Sequence, residues 1–220
     1  QVSQGLLFQR KAALCRLFLW RWHCNLNKTM HYCFHHIPKT GGSSLRIRLE
    51  DRADKKQISK FDYAIGHNTT KRTPGIHFVW LREPLDRDIS HFNYDMEKGE
   101  ANSDNFEESY ASLAGNFMIL WMYKNYLLND HNVDIETKYH TVRQSLKNNF
   151  SKVFCTKNFE DSWNYVADTL KVDREPRLST NRSNEDYKKY ADRKNLSKDF
   201  IAWHRAYNLY DYKLYEEFCT

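Results

Sequence analysis

The chain has 220 residues, 40% of them apolar and 15% aromatic, with only 7 Gly and 4 Pro. That is enough for one domain with a sizeable core and short for two, and it excludes a disordered or fibrous protein. The formal charge of +6 fits a polyanionic partner but equally a solvated surface, since 34 basic residues stand beside 28 acidic ones.

Residues 1–29 read as a basic, amphipathic N-terminal extension around "AALCRLFLWRWHC". Arg16 and Arg21 interrupt this run, which falls short of the ~18–20 apolar residues of a membrane span. It is expected to pack on the domain, or to touch a membrane peripherally, rather than to cross one. Met30 would be a natural start, leading directly into "HYCFHHI" (31–37), the first expected strand.

Residues 30–220 contain no repeat and no Gly/Ser linker, and are expected to form a single domain. After the first strand, "PKTGGSS" turns into a helix, with Ser43 or Ser44 as the expected cap. A second strand is expected in 60–68 and a third in 75–84, the latter nearly continuous in apolar residues and therefore central and parallel. Pro84 suits the first turn of a helix running to about Lys98. Helical periodicity covers 105–128 and 136–149, a fourth strand lies in "SKVFC", a helix follows from near Asn158, and the tail from Asp199 is helical. Alternation of this kind predicts an α/β fold, P-loop-like and three-layered, with a central parallel sheet of four to five strands flanked by helices.

In such sheets ligands bind beyond the carboxyl ends of the strands, where Lys39, His67 and Arg82 all fall. A strand, then Lys39, Thr40, Gly41, Gly42, Ser43 and Ser44, then a helix, is an anion site by construction. Backbone N–H groups and the positive helix end converge on one point. An ATP loop of the form GxxxxGK[ST] places its Lys after the second Gly; here Lys39 precedes both. The central strand ends in Arg82 rather than in an Asp for Mg²⁺, so no metal is expected. Ser90, about two helical turns beyond Pro84, is placed to clamp a phosphate together with Arg82. Arg87 is expected to make a structural ion pair with Glu83 or Asp86. His35 and His36 are read as buried or surface histidines rather than ligands, and His77 as a packed one. Phe117, Trp121 and Tyr123–Tyr126 are read as core, with stacking on adenine or a sugar as the alternative.

"HIPKTGGSSL" resembles the 5′-phosphosulfate loop of the sulfotransferases, in the version of the carbohydrate enzymes related to heparan sulfate 2-O and 6-O sulfation. "LREPLDRDISHF" is similar to their 3′-phosphate motif. "RLSTNRSNEDY" with "LYDYKLYEEF" is similar to their C-terminal region, with its Asn-x-Ser segment and Asp-x-x-Leu-Tyr pattern. The resemblance runs from about residue 31 to the end. It implies 3′-phosphoadenosine 5′-phosphosulfate (PAPS) as donor, PAP as product and an acceptor hydroxyl, expected on a glycan, with no nucleic-acid partner. Carried across, Lys39 contacts the bridging oxygen and the 5′-phosphate, with Thr40, Gly41, Gly42, Ser43 and Ser44 around that phosphate. Arg82 and Ser90 hold the 3′-phosphate, and Asn181 and Ser183 approach the nucleotide. His67 is the expected base, since "GH" matches the Gly-His of the 2-O-type enzymes and an imidazole titrates near neutrality. Those enzymes carry a further His just upstream of the Gly, where this chain has Ala64-Ile65. Two alternatives stand beside this reading: a P-loop kinase or NTPase, and a non-catalytic module binding nucleotides or polyanions.

Five cysteines (Cys15, Cys24, Cys33, Cys155 and Cys219), an odd number without a CxxC, lean towards a reducing, cytoplasmic setting. A Cys155–Cys219 pair stays open at this stage, as does a Golgi lumenal domain. Two of the five Asn-x-Ser/Thr sequons, at Asn68 and Asn181, flank expected site residues, where a glycan would obstruct chemistry.

Overall fold

The computed structural model describes residues 31–67, 69–111, 113–175 and 190–220. The extension at 1–29, and Asn181 and Ser183, lie outside the described residues.

The fold is α/β, built on a four-stranded, all-parallel sheet in the order β2-β1-β3-β4. The strands are β1 (Tyr32–His35), β2 (Tyr63–Gly66), β3 (Ile76–Leu81) and β4 (Phe150–Cys155). Among the described residues there are eight α-helices: α1 (Gly42–Asp54), α2 (Pro84–Lys98), α3 (Phe106–Ala111), α4 (Phe117–Trp121), α5 (Ile135–Asn149), α6 (Phe159–Leu170), α7 (Lys198–Tyr207) and α8 (Leu209–Cys219).

The continuous apolar run of β3 has a simple cause. Successive side chains leave a strand on opposite faces, and both faces here are covered. Phe78 and Trp80 join Phe34, Leu45, Leu49, Phe154 and Trp163 in a core beneath α1 and α6. Val79 and Leu81 join Ile37, Met118, Val142, Leu146 and Leu214 in a second core beneath α4, α5 and α8. A third cluster, with Leu85, Phe92, Phe106 and Phe200, unites α2, α3 and α7. At about 25 cal/mol per Å² of apolar surface, these two sheet faces carry most of the driving force for folding.

On β1 and β3, the buried His35 and the half-buried His77 form a pair. The His35 Nδ1–H donates to the Thr69 carbonyl at 3.1 Å, so Nε2 of the neutral ring is left to accept from His77 Nδ1 at 2.7 Å. Burial, then the neighbouring His77, pushes His35 down to about 3. Both are packed, His77 as expected.

Three local expectations need correction. Neither Ser43 nor Ser44 caps α1; Gly41, in the left-handed region, is its N-cap, and both serines lie inside the first turn. The periodic stretch 105–128 is not one helix but α3, α4 and a π-helical turn over Met122–Tyr126. The break sits at Asn116, which has φ 59. Likewise the C-terminal tail divides into α7 and α8 at Asn208.

One pair of long-range caps explains both breaks. The Asp211 carboxylate accepts from the Met118 and Ile119 N–H groups at 2.8 and 3.0 Å, closing the start of α4. In return, Asn116 Oδ1 accepts from the Tyr210 and Asp211 N–H groups at the start of α8. Asn208 completes the junction, accepting from Tyr110 Oη and the Asn116 N–H. Capping of this type fixes where a helix begins more firmly than periodicity does.

Cys155, at the end of β4, is bonded to Cys219, at the end of α8, with 5.6 Å between their Cα atoms. The odd cysteine count was thus a poor guide, because geometry and not parity decides which thiols meet. Cys33 is a buried thiol. No helix among the described residues is long and apolar enough to cross a membrane.

Candidate functional site

The strand order reverses between β1 and β3. From β1 the chain winds outward through α1 to β2, and from β3 it winds the other way to β4. A crevice at such a switch point, beyond the carboxyl ends of the strands, is where α/β sheets bind ligands. A cavity of about 1250 Å³ opens there, and its lining includes Lys39, Gly41, Gly42, Ser43, Ser44, His67, Arg82 and Ser90. Every expected site residue within the described residues reaches it except Thr40.

Thr40 is turned inward. It is buried, its N–H and its hydroxyl both donate to the Ile37 carbonyl at 3.3 and 2.8 Å, and its own carbonyl accepts from Thr156. It braces the loop from below and offers neither donor to a ligand. The expectation that it cradles a phosphate is therefore replaced by a supporting role.

The loop bends left-handed twice, at Lys39 (φ 70) and at Gly41 (φ 94). A lysine in that region costs energy, and neighbouring contacts hold it there. Arg82 Nη1 donates to the Lys39 carbonyl at 3.1 Å, and Arg87 Nε to that of Pro38 at 3.3 Å. Among the described residues, no hydrogen bond engages the N–H groups of Gly41, Gly42, Ser43 or Ser44. Four adjacent donors at the start of a thirteen-residue helix face the cavity without an acceptor.

Lys39 Nζ stands 4.3 Å from the Tyr94 ring centroid. Burial, then the Arg82 charge, lowers its pKa, with Asp95 acting the other way. This is a partly desolvated ammonium between cations, Arg82 and Arg87, and the carboxylates of Asp95 and Glu97.

Ser90 lines the cavity on α2, whose start is held by the Glu83 carboxylate accepting from the Asp86 N–H at 2.8 Å. The neighbouring Arg87 does not pair with Glu83 or Asp86. It is buried, bonds the adjacent Asp88 and lies 3.6 Å from the Phe117 ring centroid. Glu83 and Asp86 instead engage Arg193, each at 3.3 Å. Asp88 also meets the fully buried His204 at 3.0 Å.

At the end of β2, His67 is exposed at the cavity wall. Its ring stacks on His36, with centroids 4.8 Å apart and planes at 21°, and Trp121 presents its edge at 6.0 Å.

Sequence reasoning missed several lining residues. Arg48 makes a two-pronged bond to Glu160, at 2.9 and 2.6 Å, that ties α1 to α6 at the cavity wall. Asn93 and Ala191 exchange reciprocal bonds at 3.0 and 2.7 Å, bringing residues 191–193 to the rim. Nothing local in the sequence announces these pairings, which span about a hundred residues. His36 did leave a signal. Gly41 needs glycine for its φ, but Gly42 is helical and needs it for space, because a Cβ there would stand 2.1 Å from His36 Cδ2.

No protein-family model matches this chain, and no curated protein is recognisably similar to it in sequence.

Proposed function

We propose that this protein is a sulfotransferase that moves the sulfuryl group of PAPS to an acceptor hydroxyl on a carbohydrate. The observation that carries the reading is the meeting, in one crevice at the β1/β3 switch point, of four unengaged loop N–H groups, Lys39, the Arg82–Ser90 pair and a histidine. Two anion positions follow from this arrangement. The 5′-phosphosulfate lies on the loop, and the 3′-phosphate lies beside Arg82 and Ser90.

In the reaction the acceptor oxygen attacks sulfur in line, and its proton passes to the His67 imidazole. The bond from sulfur to the bridging oxygen breaks, and its electron pair stays on the 5′-phosphate of PAP. Lys39 and the loop N–H groups stabilise that developing charge without reorganising, the usual source of a large catalytic term. The Cys155–Cys219 bond favours an oxidising compartment, so of the two settings considered we place the protein in a secretory lumen.

The test is transfer of labelled sulfate from PAPS across glycans, lipids and phenols, with PAP binding measured by calorimetry. Lys39→Ala is expected to lose ~2 kcal/mol or more of transition-state stabilisation, at least about thirtyfold in turnover. PAP binding without transfer to any acceptor would favour a binding module. Magnesium-dependent ATP turnover would favour a kinase.

A further inference from the structure

No carboxylate among the described residues is bonded to the proposed base, His67. Among the described residues, no hydrogen bond holds the His67 ring. Catalytic imidazoles are ordinarily aimed by a third group bonded to the second nitrogen. The ring contacts of His67 among the described residues are with His36, stacked face to face, and with Trp121, edge-on.

His36 is itself fixed by packing. Its ring lies over the bare Cα of Gly42, where an added Cβ would stand 2.1 Å from Cδ2, 2.4 Å from Cγ and 2.5 Å from Nε2. The residue is 9% exposed, and its Nδ1 is buried without a hydrogen-bond partner. A buried nitrogen without a partner cannot readily hold an added proton. The groups that face it are all cationic or capable of becoming so: His67 from the end of β2, Arg46 from α1 and Lys39 from the loop. Burial first, and these neighbours next, push His36 down to about 4. Burial and the unpartnered Nδ1 therefore favour the neutral ring.

We infer that His36 is a positioning residue for the transfer step, a neutral imidazole that sets the plane of His67 by face-to-face contact between Gly42 and that ring. The inference rests on the reading of His67 as base. Because His36 stays uncharged, the imidazolium formed when His67 takes the acceptor proton meets an aromatic face and not a second cation. The contact also links base to donor. The residue under His36 is the first residue of α1, whose N–H belongs to the anion loop, so the base is held in register with the phosphosulfate.

Two variants separate this role from a merely structural one. His36→Ala removes the face and leaves a gap above Gly42, and His36→Phe restores a flat, non-titrating ring. Steady-state sulfate transfer from labelled PAPS, with PAP binding by calorimetry, is measured for both. The expected result is a drop in kcat of tenfold or more for His36→Ala, with PAP affinity and the KM for PAPS within about twofold of wild type. His36→Phe is expected to recover most of the loss. Unchanged turnover in His36→Ala overturns the inference. So does a fall in PAP affinity that matches the fall in kcat, which would place His36 in the phosphate cradle alone. So does failure of His36→Phe to recover while its melting temperature and PAP affinity are those of wild type. If the wild-type protein itself neither binds PAP nor transfers sulfate, the donor reading falls and takes this inference with it. Intact PAP binding and transfer beside an unaffected His36→Ala would remove the inference alone.

Discussion

Two polar regions of this molecule are built from similar parts and end up as opposites. At the junction of α4 and α8, Asn116, Asn208 and Asp211 give and receive hydrogen bonds until the starts of both helices are closed. At the start of α1, four consecutive N–H groups have no acceptor among the described residues, and a lysine stands nearby between cations and carboxylates. Both are helix N-termini with the same need. One is met from within the chain, across more than ninety residues of sequence, and the other opens on a cavity. The difference separates a closed polar cluster from an open one better than residue type does, since Asp and Asn fill the closed region.

The disulfide is the strongest link between the two regions, because Cys155 precedes the cavity-lining Thr156 and Cys219 ends α8. A bridge across a sequence separation of 64 is worth about 4 kcal/mol on the chain-entropy account. Cys219→Ser is expected to lower unfolding stability by that order in urea titrations. An unchanged midpoint would show that the regions stand independently.

Asp211→Ala comes next and probes the closed region alone. Two helix-start donors lose their acceptor, at an expected cost of about 3 kcal/mol. PAP affinity should stay within about threefold, and a parallel loss of PAP binding would show that the junction shapes the cavity. Lys39→Ala is the mirror image, with ~2 kcal/mol or more lost from turnover and a melting temperature close to wild type. A large drop in melting temperature would mean that the open region is structural after all.

The smallest effect is a slope with pH. His35 and His36, at about 3 and about 4 in the fold, take up protons mainly when the chain unfolds, so each withdraws stability as pH falls below about 6.5. Asp211 acts in the opposite sense. Burial outweighs its two N–H bonds and raises it to about 7, so it gains a proton in the fold as pH falls through that value. Those two histidines against Asp211 leave a loss of roughly 1 kcal/mol per pH unit between about pH 6 and pH 5, and His77 and His91, both lowered chiefly by burial, steepen it in the same direction. Thermal melts across that range measure it, and a flat profile would mean that the buried histidines titrate normally.

Much of this was legible in the sequence. The strands announced themselves through apolar runs, and the ends of α2 were set by Pro84 and by Gly99 in the left-handed region, both local signals. The tight turn from β1 into α1 was legible because lysine, two glycines and two serines in that order have few other uses. What was not legible is whatever depends on distant partners. The division of 105–128 follows from Asp211, and the orientation of Thr40 from Ile37 and Thr156. His36 read as a buried or surface histidine, and it is packed, against Gly42 at the start of α1 and against the ring of His67.

One hydroxyl at the floor of the crevice has a consequence of its own. Thr156 Oγ1 lies 3.1 Å from the Thr40 carbonyl and 3.0 Å from that of Leu81. It has a single hydrogen to give to both. The loop after β1 and the end of β3 therefore compete for one proton donated from the residue after β4, and serving one leaves the other short. The spacing between those two segments, which both border the crevice, thus turns on this shared hydrogen. A valine at 156 would keep the outline of the side chain and remove that hydrogen.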